Sequence, residues 1–313
     1  MAALTSRRRL PRLGKASPIR PRYLPTLLVL PAFVVLLAIT IFPLLFTATL
    51  TVLSWELTTN APARFVALGN FATVLFEDSR FWNAMRNTAV LVVVGVGLQV
   101  ILGTGLALLV NRVRRGRTLI VSLLLIPVMI APVVAGFQFR MIYNDQSGPL
   151  NYLIGLLTGG LWHGTAWLAD PSVALISILL ADVWQWTPFM ILIVLAGLQA
   201  IPEEIHEAAL VDGATPRQQA THITLPLIVP VIVIGILVRM MDTFKLFDIV
   251  YQLTAGGPGS TTETIAYYTY LQGFKYFSLG YTAAMAFIQL AVITIVARVF
   301  LGYQKRTQNR GSL

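Results

Sequence analysis

Gln99, Asp182, Gln185 and Gln289 are polar residues set inside long apolar runs, and Trp184 and Trp186 flank Gln185. A polar group in hydrocarbon is costly and so points to function. Counted at the helical rise, about 1.5 Å per residue, all four polar residues fall near the middle of a membrane-spanning stretch. Pro188 is expected to interrupt the helix just beyond them, freeing backbone groups to face a cavity. Flat aromatic faces suit the C–H surfaces of a sugar, and amides and carboxylates suit its hydroxyls. The 182–188 segment offers both. Asp182, Trp184, Gln185, Trp186, Gln99 and Gln289 are therefore the candidate substrate path. The same residues could instead join helices by interhelical hydrogen bonds. Asp182 has a further reading. It lies about 13 Å along its span from Val173, and Arg239 lies about 12 Å along another from Phe247. Equal depth favours a buried ion pair over contact with a sugar. Asp242, Lys245 and Asp248 follow at the end of the Arg239 run, as the lining of an entrance or as ordinary interfacial charges.

Other chemistries find no residues to carry them. The chain has no cysteine, which excludes disulfides, thiolate metal sites and cysteine nucleophiles. His163, His206 and His222 lie too far apart for metal-ligand spacing, so no metal site is expected. No nucleophile–base constellation suggests an enzyme. The one Gly-Lys, Gly14-Lys15, is followed by Ala16, so no Walker A motif exists and ATP would have to be hydrolysed elsewhere. The glycines of Thr254-Ala255-Gly256-Gly257-Pro258-Gly259 lack the Lys-Ser/Thr of a phosphate loop and read as a flexible turn.

The longest polar run between two spanning segments is 203–226, EEIHEAALVDGATPRQQATHITLP. Pro202 suits a first helical turn, and Glu203 and Glu204 place negative charge at that helix's positive end. Ile205, Ala208, Ala209 and Asp212 share one face of mostly small residues. Gly213 should end the helix in the left-handed conformation. Thr215-Pro216 reads as the cap and first position of a second short helix running towards Ile223. The prediction is a compact helix-turn-helix beside a membrane.

This run resembles the EAA loop of permease subunits in binding-protein-dependent ABC importers. Glu207, Ala208, Ala209, Gly213, Ile223, Leu225 and Pro226 keep every spacing of that pattern. Leu68-Gly69-Asn70-Phe71, the Pro127 region, Trp184–Pro188 and residues 253–259 with 262–270 extend the resemblance over residues 24–302. They point to carbohydrate permeases of the maltose-permease-F-like, glycerol-phosphate-permease-A-like branch. The resemblance implies a non-catalytic subunit working with a second homologous permease subunit, two ATPase subunits and an extracytoplasmic sugar-binding protein. It implies that the seven EAA positions couple to an ATPase subunit. ATP and magnesium would belong to those ATPase partners, with no cofactor in this chain.

These residues need a membrane to position them. Of 313 residues, 56% are hydrophobic and 12% charged, against about 25% charged in soluble domains. The net charge of +10 invites a nucleic-acid partner. That reading fails, because the basic residues flank apolar spans and no basic folded segment exists. An all-α membrane protein is predicted, with six spans near 24–53, 88–110, 119–139, 173–198, 226–246 and 281–301. Each meets the roughly 20 residues that cross a bilayer. Residues 1–22 are expected as a disordered basic tail, 23–303 as the permease domain with its coupling loop at 202–226, and 304–313 as a second tail. The first run is too long for a cleaved signal. Lys and Arg number fifteen on the face holding both termini and the 203–226 loop, and six on the other. The positive-inside rule then makes that face cytoplasmic, in a cytoplasmic (inner) membrane. Residues 54–87 suggest a short interfacial helix, and 140–172 turns with interfacial aromatics. An ion-gradient-driven secondary transporter of a small polar solute is the alternative. It wants an internal repeat and several membrane carboxylates, and the sequence shows no repeat and one clear carboxylate, Asp182.

Overall fold

The computed structural model describes residues 24–59, 61–113, 115–162 and 164–310, with side chains placed from 26 to 302. The basic tail at 1–22 and His163 lie outside the described residues. Contacts divide the chain into two units, 1–49 and 50–313. The first contributes most of helix α1, Leu24–Thr51, which contains Pro31 and Pro43. It is apolar all round, the pattern of a helix surrounded by apolar material.

In the second unit, β1 (Leu53–Ser54) pairs antiparallel with β2 (Arg64–Phe65), so the fold is not purely helical. The short helix α2, Gly69–Ala72, follows. Asn70, on α2, donates its amide to the Thr51 carbonyl at 2.8 Å and to the Leu53 carbonyl at 2.9 Å. The remaining helices are α3 (Ser79–Asn111), α4 (Arg117–Leu124), α5 (Ile126–Met129), α6 (Pro132–Ile142), α7 (Pro149–Leu157), α8 (Ala174–Gln199), α9 (Glu203–Val211), α10 (Pro216–Thr243), α11 (Asp248–Leu253), α12 (Ile265–Tyr270) and α13 (Leu279–Arg310).

Among the described residues, five helices are long and apolar enough to span a membrane: α1, α3, α8, α10 and α13. The expected span at 119–139 is no single helix. Pro127 and Pro132 cannot donate backbone hydrogen bonds, and Ile130 turns extended (φ −80°, ψ 131°), which leaves the three pieces α4, α5 and α6. Pro188 behaves differently from expectation, because α8 runs through it unbroken. The Thr187 hydroxyl donates to the Val183 carbonyl at 2.6 Å, one turn back. Helix α13 stays helical to Arg310, past the expected end of the permease domain at 303.

Helices α3, α8 and α10 pack as a block. A Cβ built on Gly103 would stand 2.5 Å from Met190 Cβ, and one on Gly235 would stand 3.0 Å from Met190 Cε. Glycine on α3 and α10 therefore lets both helices close on the same residue of α8, as small residues do between membrane helices. Towards the 203–225 loop this block is filled by Ala107, Ile191, Val194, Leu198 and Ile228, all buried. At its other end Leu91, Ile178, Leu246, Ile249 and Leu253 form a second core.

Residues 254–264 are better tied than the flexible turn expected of them. Ala255, Gly256 and Gly259 take positive φ (47°, 81° and 63°). Asn83 donates to the Ser260 carbonyl at 2.8 Å, and Asn87 to the carbonyls of Thr261 at 2.8 Å and Glu263 at 3.0 Å. Both asparagines sit on α3, so the loop is clamped to that helix.

Candidate functional site

Two regions collect the residues singled out by the sequence. The first lies inside the α3–α8–α10 block. Arg239 donates from Nε to Gln99 Oε1 at 2.9 Å, and from Nη2 to both Asp182 oxygens at 3.2 Å and to Thr243 Oγ1 at 3.1 Å. Gln99 returns Nε2 to Asp182 Oδ2 at 2.8 Å. The guanidinium carbon sits 4.5 Å above the Trp186 ring. Gln99, Asp182 and Arg239 are each no more than 2% exposed. The ion pair expected from equal depth therefore forms, and Gln99 and Trp186 complete its surroundings. Thr243 was missed. It lies one helical turn beyond Arg239, a spacing that could have found it.

The other candidate path residues are scattered. Gln185 is buried and donates Nε2 at 2.8 Å to the carbonyl of Ile130, at the break between α5 and α6, while its Oε1 has no partner among the described residues. Trp184 is 40% exposed and stands edge-on to Phe139 at 5.2 Å. It lines an apolar groove with Leu106, Leu123, Pro127 and Thr187. Gln289 lies apart from the cluster and donates to the Phe244 carbonyl at 2.9 Å, joining α13 to α10.

The second region is the 203–225 loop. Pro202 immediately precedes α9, and Glu203 and Glu204 occupy its first turn. Asp212 ends the helix, and Gly213 follows with φ +76°. The Gly213 amide donates to the Leu210 carbonyl at 3.1 Å and the Ala214 amide to the Ala209 carbonyl at 2.9 Å. This paired closure needs the left-handed residue that glycine supplies. A Cβ on Gly213 would meet nothing within 4 Å, so the residue is required by backbone conformation and not by crowding. Thr215 caps the next helix, accepting from the Gln218 amide, while its own amide donates to Gln218 Oε1 at 2.9 Å. The separate second short helix expected there does not form. Pro226 has no amide hydrogen, so the chain widens to a π-helical turn over Gln219–Thr224 and runs straight into the rest of α10.

On α9 only Ala209 is buried. Ile205, Ala208, Leu210 and Val211 are exposed beside Glu203, Glu204 and Glu207, and Val211 reaches 88%. The knob thus presents a mixed surface, because Glu207 lies one turn before Leu210 and Val211 and shares their side of the helix. Ile223 and Leu225 are half-buried and Pro226 exposed at the start of the spanning part of α10.

A third network escaped the sequence, since its members are ordinary residues far apart in the chain. Arg80 and Glu263 make a two-pronged pair at 2.7 and 2.6 Å. Asp78 caps α3 through the Phe81 amide at 3.0 Å and accepts hydroxyls from Tyr268 at 2.7 Å and from Tyr281. Burial pushes the Asp78 carboxyl up, but the bonds from Tyr281, Phe81, Tyr268 and Arg80 outweigh it and hold it below the usual carboxylate range. Burial first, and then the bond to Asp78, push the Tyr268 phenol up to about 12. Among the described residues no group of three or more His, Cys, Asp or Glu is placed to hold a metal ion.

Comparison with known proteins gives this geometry its setting. The family model described as "Binding-protein-dependent transport system inner membrane component" matches residues 99–309. The trehalose/maltose transport system permease protein MalF of Thermococcus litoralis is 35% identical over 279 residues, covering 89% of this chain and 92% of that one. The sulfoquinovosyl glycerol transport system permease protein SmoG of Agrobacterium fabrum is 34% identical over 294 residues, 94% of each chain. A chain in the crystal structure of a bacterial alginate ABC transporter, bound to a periplasmic protein holding an alginate pentasaccharide, superimposes with a TM-score of 0.81. At 21% identity, covering 92% of this chain and 96% of that one, it matches in fold.

Proposed function

Since the chain belongs to the family of binding-protein-dependent transport system inner membrane components, we propose that it is the permease subunit of an ATP-driven sugar importer. Relatives named for trehalose, maltose and sulfoquinovosyl glycerol transport support the sugar class. In this reading the chain forms half of a translocation pathway together with a second homologous permease subunit. Two ATPase subunits bind ATP and magnesium, and an extracytoplasmic binding protein delivers the sugar. The pieces α4, α5 and α6 together make the sixth crossing. Their extended break at Ile130 fits the rule that irregular backbone within a membrane lines a cavity or is buried in protein. Both termini and the 203–225 loop face the cytoplasm, on the strength of the charge asymmetry.

The observation that carries the coupling role is the pair of large apolar side chains that α9 exposes. Leu210 and Val211 are 64% and 88% exposed on the side of the helix that also carries Glu203, Glu204 and Glu207. Such a face asks for a protein partner, and an ATPase groove with a basic rim suits it. Glu207, Ala208, Ala209, Gly213, Ile223, Leu225 and Pro226 are assigned to this contact. Trp184, exposed on its groove, is the path residue most open to a sugar, and Gln185 lies buried beside it at the Ile130 break, its Oε1 unpaired among the described residues. Asp182 and Gln99 are engaged by Arg239 and hold the helices together. That engagement also removes the one carboxylate an ion-gradient transporter would use.

Gly213→Val and Glu207→Lys test the coupling. Valine at φ +76° costs about 1–2 kcal/mol of backbone strain, and lysine reverses a rim charge. Both variants should insert and assemble with the second permease, yet lose sugar uptake and retain the ATPase poorly on purification. Full uptake by Gly213→Val with the ATPase still bound would remove the coupling role. Orientation is checked separately. A cysteine at Gln218 should resist an impermeant thiol reagent in intact cells while one at Asn70 reacts, and labelling at Gln218 would invert the assignment.

A further inference from the structure

Two aromatic stripes converge at the end of α10 away from the 203–225 loop. Phe247 and Tyr251 lie four residues apart at the start of α11 and stack at 5.5 Å. Tyr267, Tyr270 and Phe274 follow helical spacing along α12 and its π-helical continuation, and Tyr270 stacks on Phe274 at 5.5 Å. The stripes join through Phe247, whose ring is 5.0 Å from Tyr270 and 6.0 Å from Tyr267. Tyr251 also meets Tyr270 edge-on at 6.0 Å. The assembly is not sealed, with Tyr251 42% and Phe274 70% exposed. None of the hydroxyls of Tyr251, Tyr267 and Tyr270 has a hydrogen-bond partner among the described residues. None is counted among the fully buried unpartnered atoms there, which are Thr104 Oγ1 and Gln185 Oε1. Asp248, one helical turn before Tyr251, is half-buried and also has no such partner.

We propose that Phe247, Tyr251, Tyr270 and Phe274 form a stacking platform that receives a sugar, with Asp248 and the three tyrosine hydroxyls as its hydrogen-bonding edge. The proposal rests on the sugar reading above and extends it to a site outside the Asp182–Gln185 segment. The chemistry decides between occupants. Lipid chains would cover the rings but leave three phenols and a carboxylate unsatisfied, a substantial cost for each group. A sugar offers both halves of the complement, C–H faces for the rings and hydroxyls for the edge. Tyr251 and Phe274, exposed at the two ends of the assembly, keep aromatic surface free, as a stacking surface requires. On the proposed topology the platform lies on the side from which the binding protein delivers its load.

The complete complex in proteoliposomes, with its ATPase subunits and binding protein, supplies the test, using radiolabelled trehalose and maltose as probes. Uptake and ATP hydrolysis are read together. With Tyr251→Ala and Phe274→Ala combined, uptake should fall about fivefold, the scale of a lost aromatic stacking contact. ATP hydrolysis stimulated by the loaded binding protein should stay near wild type. Tyr251→Trp with Phe274→Trp should restore uptake, because the faces return. Undiminished uptake by the alanine pair overturns the platform while leaving the sugar reading intact. Hydrolysis falling in step with uptake also overturns it, since the patch then docks the binding protein. A wild-type complex that carries neither probe nor any other labelled sugar sinks the sugar reading, and the platform with it.

Discussion

Removing either charge of the Asp182–Arg239 pair should damage the protein far more than removing both. Asp182→Leu leaves a guanidinium that is 1% exposed, keeping Gln99 at 2.9 Å and Thr243 at 3.1 Å but losing two contacts at 3.2 Å. An uncompensated buried charge of this kind costs about 3–5 kcal/mol. That is a loss of roughly two to four powers of ten in the folded-to-unfolded ratio. Arg239→Met strands the Asp182 carboxylate on Gln99 alone and should cost a similar amount. The double variant Asp182→Leu, Arg239→Met replaces the pair by apolar groups, strands only the neutral Gln99 amide, and should lie about 1–3 kcal/mol below wild type, closer to it than either single variant. Reversible unfolding in mixed micelles, titrated with sodium dodecyl sulfate and followed by circular dichroism, gives the four corners of the cycle. Uptake by the double variant supplies the functional half. Retained transport makes Asp182 a brace, whereas a folded double variant without transport makes it a sugar ligand. Single variants as stable as wild type, or losses that simply add in the double variant, would refute the reasoning.

Gly103→Val should cost about 1–3 kcal/mol by overpacking, because its Cβ would press on Met190 Cβ at 2.5 Å and the Met190 carbonyl carbon at 3.2 Å. A stability change below half a kilocalorie in the same micelle assay would show that α3 and α8 can separate freely. Asp78, held below its ordinary range when folded, contributes stability that is present above the unfolded carboxylate value and lost as pH falls through the folded one. Melting temperatures taken between about pH 6 and pH 3 should therefore drop less steeply for Asp78→Asn than for wild type; equal slopes would count against it. Spin labels at Gln218 and Val238, near opposite ends of α10, should stay about 30 Å apart with and without ATP. A change of several ångströms would mean that α10 bends.

What could be read from the sequence depended on how local the determining physics is. The acidic start of α9, the glycine turn and the Thr215 cap were legible, because each is set by residues within five positions of one another. The Asp182–Arg239 pair was legible because depth in a membrane is a coordinate that sequence counting supplies. Proline was the weak point. Pro127 and Pro132 break their span while Pro188 and Pro226 do not. Around Pro188 the Thr187 hydroxyl bonds the Val183 carbonyl, and before Pro226 a π-helical turn shifts the register. The Asp78–Tyr268–Tyr281 and Arg80–Glu263 networks join residues about 180 or more positions apart, so no pattern in one chain marks them. The scattering of the candidate path has the same origin. Neighbours on α8 point in different directions, so Asp182 and Trp186 meet Arg239 while Trp184 turns to the groove.

The continuity of α10 ties the two regions together. Two separate short helices could flex at 219–224 and absorb a push on the loop. Instead the chain stays helical from Pro216 to Thr243, with Arg239 near its far end gripping Asp182 on α8 and Gln99 on α3. A displacement applied at Pro216 is therefore delivered along the helix axis to three helices at once. Met190, wedged between Gly103 and Gly235, leaves little room for those helices to slide past one another. Helical order breaks instead in α4–α6, with an extended link at Ile130. Gln185 reaches that link from α8 through one hydrogen bond and keeps an unused acceptor there. On the coupling reading, α3, α8 and α10 move as one body, and the Ile130 link is where the motion changes the shape of the path.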